Sequence, residues 1–186
     1  RKMLSKQESK RCYLSIEEIK LLMVTPCKAD TVKCAFLFAC FCGLRLSDVR
    51  SLRWADIGKG TEGYYISKLM VKTRHVVTVP LSENALSWMP ARGQARADNK
   101  VFELPSFFSV NYRLKQWARE AGIDKPVTFH VSRHTFATTL LTMGVDLYTT
   151  SKLLGHQNII TTQVYAEIVN RKKVEAVNLL DQIKPL

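Results

Sequence analysis

No stretch of the 186 residues supplies the run of about 18 apolar side chains that a membrane-crossing helix needs. No secretory leader pattern opens the chain either. The expectation is a soluble, cytosolic protein with no membrane partner. Cysteine occurs five times, at Cys12, Cys27, Cys34, Cys40 and Cys42, an odd number and never as a CxxC pair. That argues against a disulfide framework or a thiolate metal clamp. Three of the five lie in the apolar run Val32 to Cys42, where a free thiol packs as a small hydrophobe. All five are read as reduced and structural. Acidic residues are few: 16 Asp and Glu stand against 28 Lys and Arg, a net charge of +12. A polyanion, nucleic acid, is the natural partner of such a surface. Two-metal phosphoryl chemistry wants clustered carboxylates, and the motif segments offer mainly Asp48. No metal and no cofactor are expected, and neither an internal repeat nor a low-complexity tract is found.

What is present is globular: 46% of residues are hydrophobic and 24% charged, in a length that suits one domain with a real core. Residues Arg1 to Arg11 carry five basic side chains against Glu8 and no apolar period, the pattern of a linker or arm. The chain opens on Arg1 rather than Met, so it is expected to be a piece of something longer. Ser15 and Glu18 have the spacing of a capping box for a helix to about Val24. Asp30 is expected to cap a buried helix that Gly43 stops, and Ser47 to cap a short one through Leu52. Tyr64 to Lys72 and Val76 to Leu81 read as a β-hairpin, with Lys72 the last residue before its turn and Pro80 at its exit. Short or amphipathic helices are predicted over Ser82 to Trp88, Ser106 to Ala121, Phe129 to Thr142 and Asp146 to Leu154. The steps Val174, Val177, Leu180, Ile183 predict a C-terminal amphipathic helix that needs an apolar cover, on its own domain or on a neighbour.

Chemistry concentrates on the helix beginning at Phe129. His130 and Arg133 are three apart and are expected on one face, an imidazole beside a guanidinium. His156 follows the turn at Gly155, and Tyr165 comes nine residues later on a short helix of its own. Two imidazoles, an arginine and a phenol suit a phosphate centre: the guanidinium forks onto two oxygens, the imidazoles handle a proton, and the phenol can attack. Arg45 stands on a turn between two helices, as a functional arginine or as a surface arginine paired with Asp48. Lys72 at the hairpin tip is either functional or simply solvated, and Lys68 and Arg74 lie close to it. The His130 to His134 spacing is that of a zinc-binding helix, but Val131 stands where the general-base glutamate belongs. Ser132 has no triad around it, His134 reads as a core or supporting histidine, and His75 as a phosphate contact at most.

Taken together, Gly43-Leu44-Arg45-Leu46-Ser47-Asp48, Lys72 ahead of Val79-Pro80-Leu81, His130-Val131-Ser132-Arg133, Leu154-Gly155-His156 and Tyr165-Ala166 resemble the catalytic domain of a tyrosine recombinase, the phage-integrase and Xer-like family. Each element alone is a weak signal; five in order and spacing are a strong one. The resemblance implies a mainly α fold with a small antiparallel β-hairpin or sheet (α+β). It implies a basic interdomain linker over residues 1–11 and a catalytic domain over 12–186, after DNA-binding domains not in this chain. It implies a site-specific recombinase that cuts and rejoins double-stranded DNA through a 3′-phosphotyrosine, independent of metal and ATP, as a homotetramer in a bacterial cytoplasm. The roles implied are Tyr165 as nucleophile, Arg45 and Arg133 as phosphate clamps, Lys72 as proton donor and His130 as base. His156 would be a phosphate contact, with Asp48 in support. A DNA-binding protein without catalysis and a topoisomerase of the same chemistry are the alternatives.

Overall fold

The computed structural model describes residues 12–165 and 177–178. The expected linker over 1–11 and, Val177 excepted, the C-terminal stripe lie outside these residues. Helix α1 (Ile16–Val24) starts as the sequence predicts: Ser15 Oγ accepts from the Glu18 amide at 3.2 Å and Glu18 returns a carboxylate oxygen to the Ser15 amide at 2.7 Å. Helix α2 (Asp30–Cys42) is apolar almost all round and runs through the centre of the core. Phe36 meets the rings of Trp117 and Phe129 edge to face at 6.2 and 5.9 Å, and Phe38 meets Phe102 at 5.2 Å.

Two capping expectations are corrected. Asp30 is the first helical residue, Ala29 holds the cap position, and no side chain bonds there. Helix α3 (Leu46–Arg50) is capped by Arg45, with Ser47 inside the first turn. Arg45, in extended backbone two residues after Gly43, leads straight into α3.

The hairpin is part of a three-stranded antiparallel sheet in the order β1 (Ile57–Gly60), β2 (Gly63–Leu69), β3 (Val76–Pro80). Ile57 pairs with Ile66 and Ile66 with Val79, so one face carries the apolar side chains. Strand β1 is Ile-Gly-Lys-Gly, with too little β-branched or alternating content to signal itself. It pairs closely because Gly58 leaves space for the Tyr65 ring, which stands 2.4 Å from where a Cβ would be.

After the sheet come α4 (Glu83–Ser87), α5 (Phe107–Glu120), α6 (Phe129–Thr142) and α7 (Leu147–Leu153). Ser82, Ser106 and Asp146 cap α4, α5 and α7 with their side chains. A 3-10 segment, Ile159–Tyr165, follows. Helix α6 is buried from Val131 to Thr138 and packs on α2. Beyond the main core, Phe136, Ala137, Leu141, Leu154 and Tyr165 form a second, smaller apolar cluster. Among the described residues no helix is long and apolar enough to cross a membrane.

Gly43 joins α2 to the site. Its φ of +71° is left-handed, and an added Cβ would stand 2.5 Å from a Phe136 ring carbon. Gly43→Ala is expected to cost about 2–4 kcal/mol, strain and overpacking together. Urea unfolding against the parent chain measures it, and a loss below about 0.5 kcal/mol would contradict this account of the turn.

Candidate active site

Among the expected catalytic side chains Arg133 is the most buried. It is 3% exposed in the middle of α6, and its guanidinium donates to the Gly43 carbonyl at 2.7 Å and to the Leu154 carbonyl at 2.6 Å. One cation thereby ties together the C-terminal ends of α2 and α7, where carbonyls lack helical partners. Burial pushes Arg133 down to about 9, and the nearby charge of Arg45 adds to the depression. Tyr165, Asp48 and Cys42 act the other way.

Arg45 itself is half-buried at the start of α3. Burial lowers it too, and Asp48 partly compensates. Its Nη1 is buried with no hydrogen-bond partner among the described residues. The two guanidiniums are close enough for the charge of Arg45 to make Arg133 less favourable as a cation. At neutral pH both remain charged. An anion between them would relieve the repulsion and supply the missing acceptor.

Asp48 is fully buried and reaches across to the sheet: Oδ1 accepts from the Val71 amide at 2.8 Å, while Oδ2 has no hydrogen-bond partner among the described residues. It is not a simple surface ion-pair partner of Arg45. It anchors the turn that carries Lys72. That turn differs from the expected one, because β2 ends at Leu69 and Lys72 lies inside the turn at 71–73, exposed. The chain reverses through bonds from Met70 N to His75 O at 2.9 Å and from Arg74 N to Met70 O at 3.0 Å, with Arg74 at a φ of +56°. On the far side the Gln157 amide donates to Thr73 O at 3.4 Å and meets the His75 ring. Lys68 is committed elsewhere: its ammonium is buried against Asp56 and Ser51 O, both at 2.9 Å.

Gly155, at a φ of +63°, closes α7 and sets His156 against β3. A Cβ on Gly155 would stand 2.6 Å from a Val77 methyl. The His156 ring is oriented by Thr162 Oγ1 at 2.8 Å from Nδ1, and it lines an open cleft of about 560 Å³ with His75, Thr78, Lys152 and Gln157.

His130 and Arg133 are neighbours on α6 but at different depths, His130 exposed and Arg133 buried. One turn on from His130 is His134, whose ring meets that of His130 edge-on at 4.4 Å. His134 Nδ1 is 2.7 Å from the hydroxyl of Tyr165, and both side chains are under 10% exposed. By sequence His134 reads as a core or supporting histidine, yet it is the histidine in contact with the phenol. Spacing was the available signal, since residues four apart on a helix stack on one face. Gln157 and Thr162, which fix the Lys72 turn and His156, carried no signal that sequence alone could have raised.

The matching family profile, the phage integrase family, covers residues 13–171. A tyrosine recombinase XerD of Proteus mirabilis is 33% identical over 181 residues, covering 86% of this chain and 56% of its own length. A tyrosine recombinase XerC of Chlamydia caviae is 26% identical over 176 residues, covering 86% and 55%. The chain thus spans about half the length of these relatives. Among solved structures, XerA recombinase superposes with a TM-score of 0.70 at 22% identity, covering 100% of this chain and 68% of the other. The catalytic domain of bacteriophage HP1 integrase gives 0.64 at 23% identity, over 84% and 88%. With the fold, the profile over most of its length and the ordered motifs in agreement, the chain belongs to the phage integrase family, the tyrosine recombinases.

Proposed function

We propose that this chain is the catalytic domain, over residues 12–186, of a site-specific DNA recombinase that breaks and rejoins strands through a phosphotyrosyl intermediate. The observation that carries the reading is the pair of guanidiniums, both lowered by burial and Arg133 further by the charge of Arg45, with a buried Nη1 on Arg45 lacking a hydrogen-bond partner among the described residues. A phosphodiester between them takes up that donor and neutralises the repulsion. A structural neighbour, the Tn1549 transposon integrase in complex with circular intermediate DNA, supports DNA as the ligand, as does the net charge of +12.

In the proposed reaction the Tyr165 oxygen attacks phosphorus, and Arg45 and Arg133 hold the non-bridging oxygens as charge grows in the five-coordinate transition state. His156, turned by Thr162, donates to a phosphate oxygen. Lys72, on the exposed turn tied back by Asp48 and Gln157, protonates the departing 5′-oxygen. His130, expected as the base, is exposed on α6 with its ring edge-on to that of His134 at 4.4 Å. The phosphotyrosine conserves the energy of the broken bond, so no ATP is required for rejoining. Residues 1–11 are the linker to DNA-binding domains, and the working form is a homotetramer on DNA in the cytoplasm.

A nicked suicide duplex bearing the protein's site traps the intermediate. A covalent adduct that disappears in Tyr165→Phe and forms about 100-fold or more slower in Arg133→Lys is expected; an adduct persisting in Tyr165→Phe would overturn the assignment. Sulfate in place of chloride at equal ionic strength should raise the thermal midpoint, by about 1–3 kcal/mol of added stability, and Arg45→Ala should remove the difference. Because the folded state holds Arg133 at about 9, below its ordinary value, the sulfate effect persists at neutral pH and declines as pH rises through that value. Ending the chain after Asn170 removes Val174, Val177, Leu180 and Ile183, and should abolish strand exchange while leaving a folded domain. Normal exchange by the shortened chain would eliminate the docking role of that segment.

A further inference from the structure

We propose that His134 takes the proton of the Tyr165 nucleophile, stores it while the strand is covalently held, and returns it on rejoining. The inference rests on the recombinase reading above and adds a residue and a proton path to it. Three observations carry it. His134 Nδ1 and the Tyr165 hydroxyl are 2.7 Å apart, the distance of a phenol donating to an imidazole nitrogen. Both side chains are buried, at 8% and 7% exposure, so the bond is shielded from competing water. His134 is also fixed on the most buried helix of the fold, next to Arg133, and is braced by the His130 ring at 4.4 Å. It therefore presents one ring nitrogen to the phenol in a constant direction.

A phenol ordinarily titrates near about 10, so at neutral pH the nucleophile needs both an acceptor and nearby positive charge. Arg133 supplies the charge, being close enough to feel Tyr165 electrostatically. His134, in the tautomer with its proton on Nε2, offers the Nδ1 lone pair. In the forward step the O–H bond of Tyr165 breaks, its proton passes to Nδ1, and the oxygen pair forms the new bond to phosphorus. The bond from phosphorus to the 5′-oxygen breaks, and that oxygen takes a proton from Lys72. In the return step an incoming 5′-hydroxyl gives its proton to the Lys72 amine and attacks phosphorus. The departing Tyr165 oxygen then recovers the proton from His134. Both groups end as they began, so the cycle needs no outside acid or base. Transient protonation of His134 adds positive charge beside Arg133 when the phosphorane carries the most negative charge.

The test uses the whole chain and a fluorescent pool of nicked duplexes with randomised cores, from which wild-type protein captures its own cleavable sequence as an adduct. His134→Ala should slow adduct formation by about 10²–10⁴-fold, the usual worth of a positioned base. Added imidazole should restore at least tenfold of that, and pyrazole, of the same shape but far weaker basicity, should not. His134→Asn keeps a polar acceptor near Nδ1 without a useful base. It should fold with an unchanged melting profile and be slowed comparably, which covers the case in which alanine opens the core. A duplex with sulfur replacing the bridging 5′-oxygen removes the need for a leaving-group proton; it should rescue Lys72→Ala and leave the His134 variants slow. Absence of any Tyr165 adduct from wild-type protein overturns the recombinase reading itself. A wild-type adduct with His134→Asn within threefold of the wild-type rate, or equal rescue by pyrazole and imidazole, overturns the His134 assignment alone.

Discussion

A guanidinium taken almost wholly out of water costs several kcal/mol unless its hydrogens find acceptors and its charge finds a counterpart. Arg133 meets the first condition with two carbonyls from chain turns that are otherwise unrelated, Gly43 and Leu154. Both carbonyls close helices, where the backbone dipoles leave partial negative charge, so acceptor and field come from the same atoms. Those ends lead directly to Arg45 on one side and His156 on the other. One buried cation therefore fixes the spacing of the whole site. The second condition is met only partly within the chain, since Asp48 and Tyr165 act at a distance and Arg45 opposes them. The remaining imbalance is what an anion beside the two arginines would relieve.

The sheet is subordinate to this arrangement. Lys72 is on an exposed turn, and a free turn of that kind would move its ammonium over several ångströms. Here the turn is held on both flanks. Asp48, from the helix that Arg45 caps, receives the Val71 amide; Gln157, next to His156, reaches Thr73 and His75. The residues near Arg45 and His156 are thus the ones that secure the lysine, so displacement of any one of the three groups would be felt by the others. Burying Lys68 against Asp56 and Ser51 serves the same end, by fixing β2 to the 3-10 turn Trp54–Asp56 ahead of the sheet.

Most of the helical framework was legible because its signals are local. Ser15, Ser82, Ser106 and Asp146 announce their helices through short-range side-chain caps, and Gly43 and Gly155 announce the stops. The misread caps at Asp30 and Ser47 involve residues of the right type one position inside the helix, where only the backbone torsions decide. Strand β1 was invisible because its stability comes from pairing with β2 and from the Tyr65 ring over Gly58, neither of which a four-residue window contains. The site residues could be named from motif order. What could not be read was depth along α6: His130 and Arg133 share a helix, yet one meets solvent and the other lies in the core, because α2 covers only part of that face. The histidine that touches the phenol is the one whose motif position suggested least.

Tyr165 occupies a different mechanical setting from the other groups. Arg133 and Asp48 are buried polar groups, and the aromatic contacts of the main core centre on Phe36 and Phe38. Tyr165 instead ends a 3-10 segment and packs in the small cluster with Phe136, Ala137, Leu141 and Leu154. A 3-10 segment has poorer hydrogen-bond geometry than an α-helix, and a five-residue apolar cluster releases less free energy on forming than the main core. The proposed nucleophile therefore sits in a smaller apolar cluster than the core around α2. Such a division suits a reaction in which the phosphorus must be held still while the tyrosine travels from phenol to phosphodiester and back. The bond to His134, rather than the packing around it, then sets where the phenol rests between those two states.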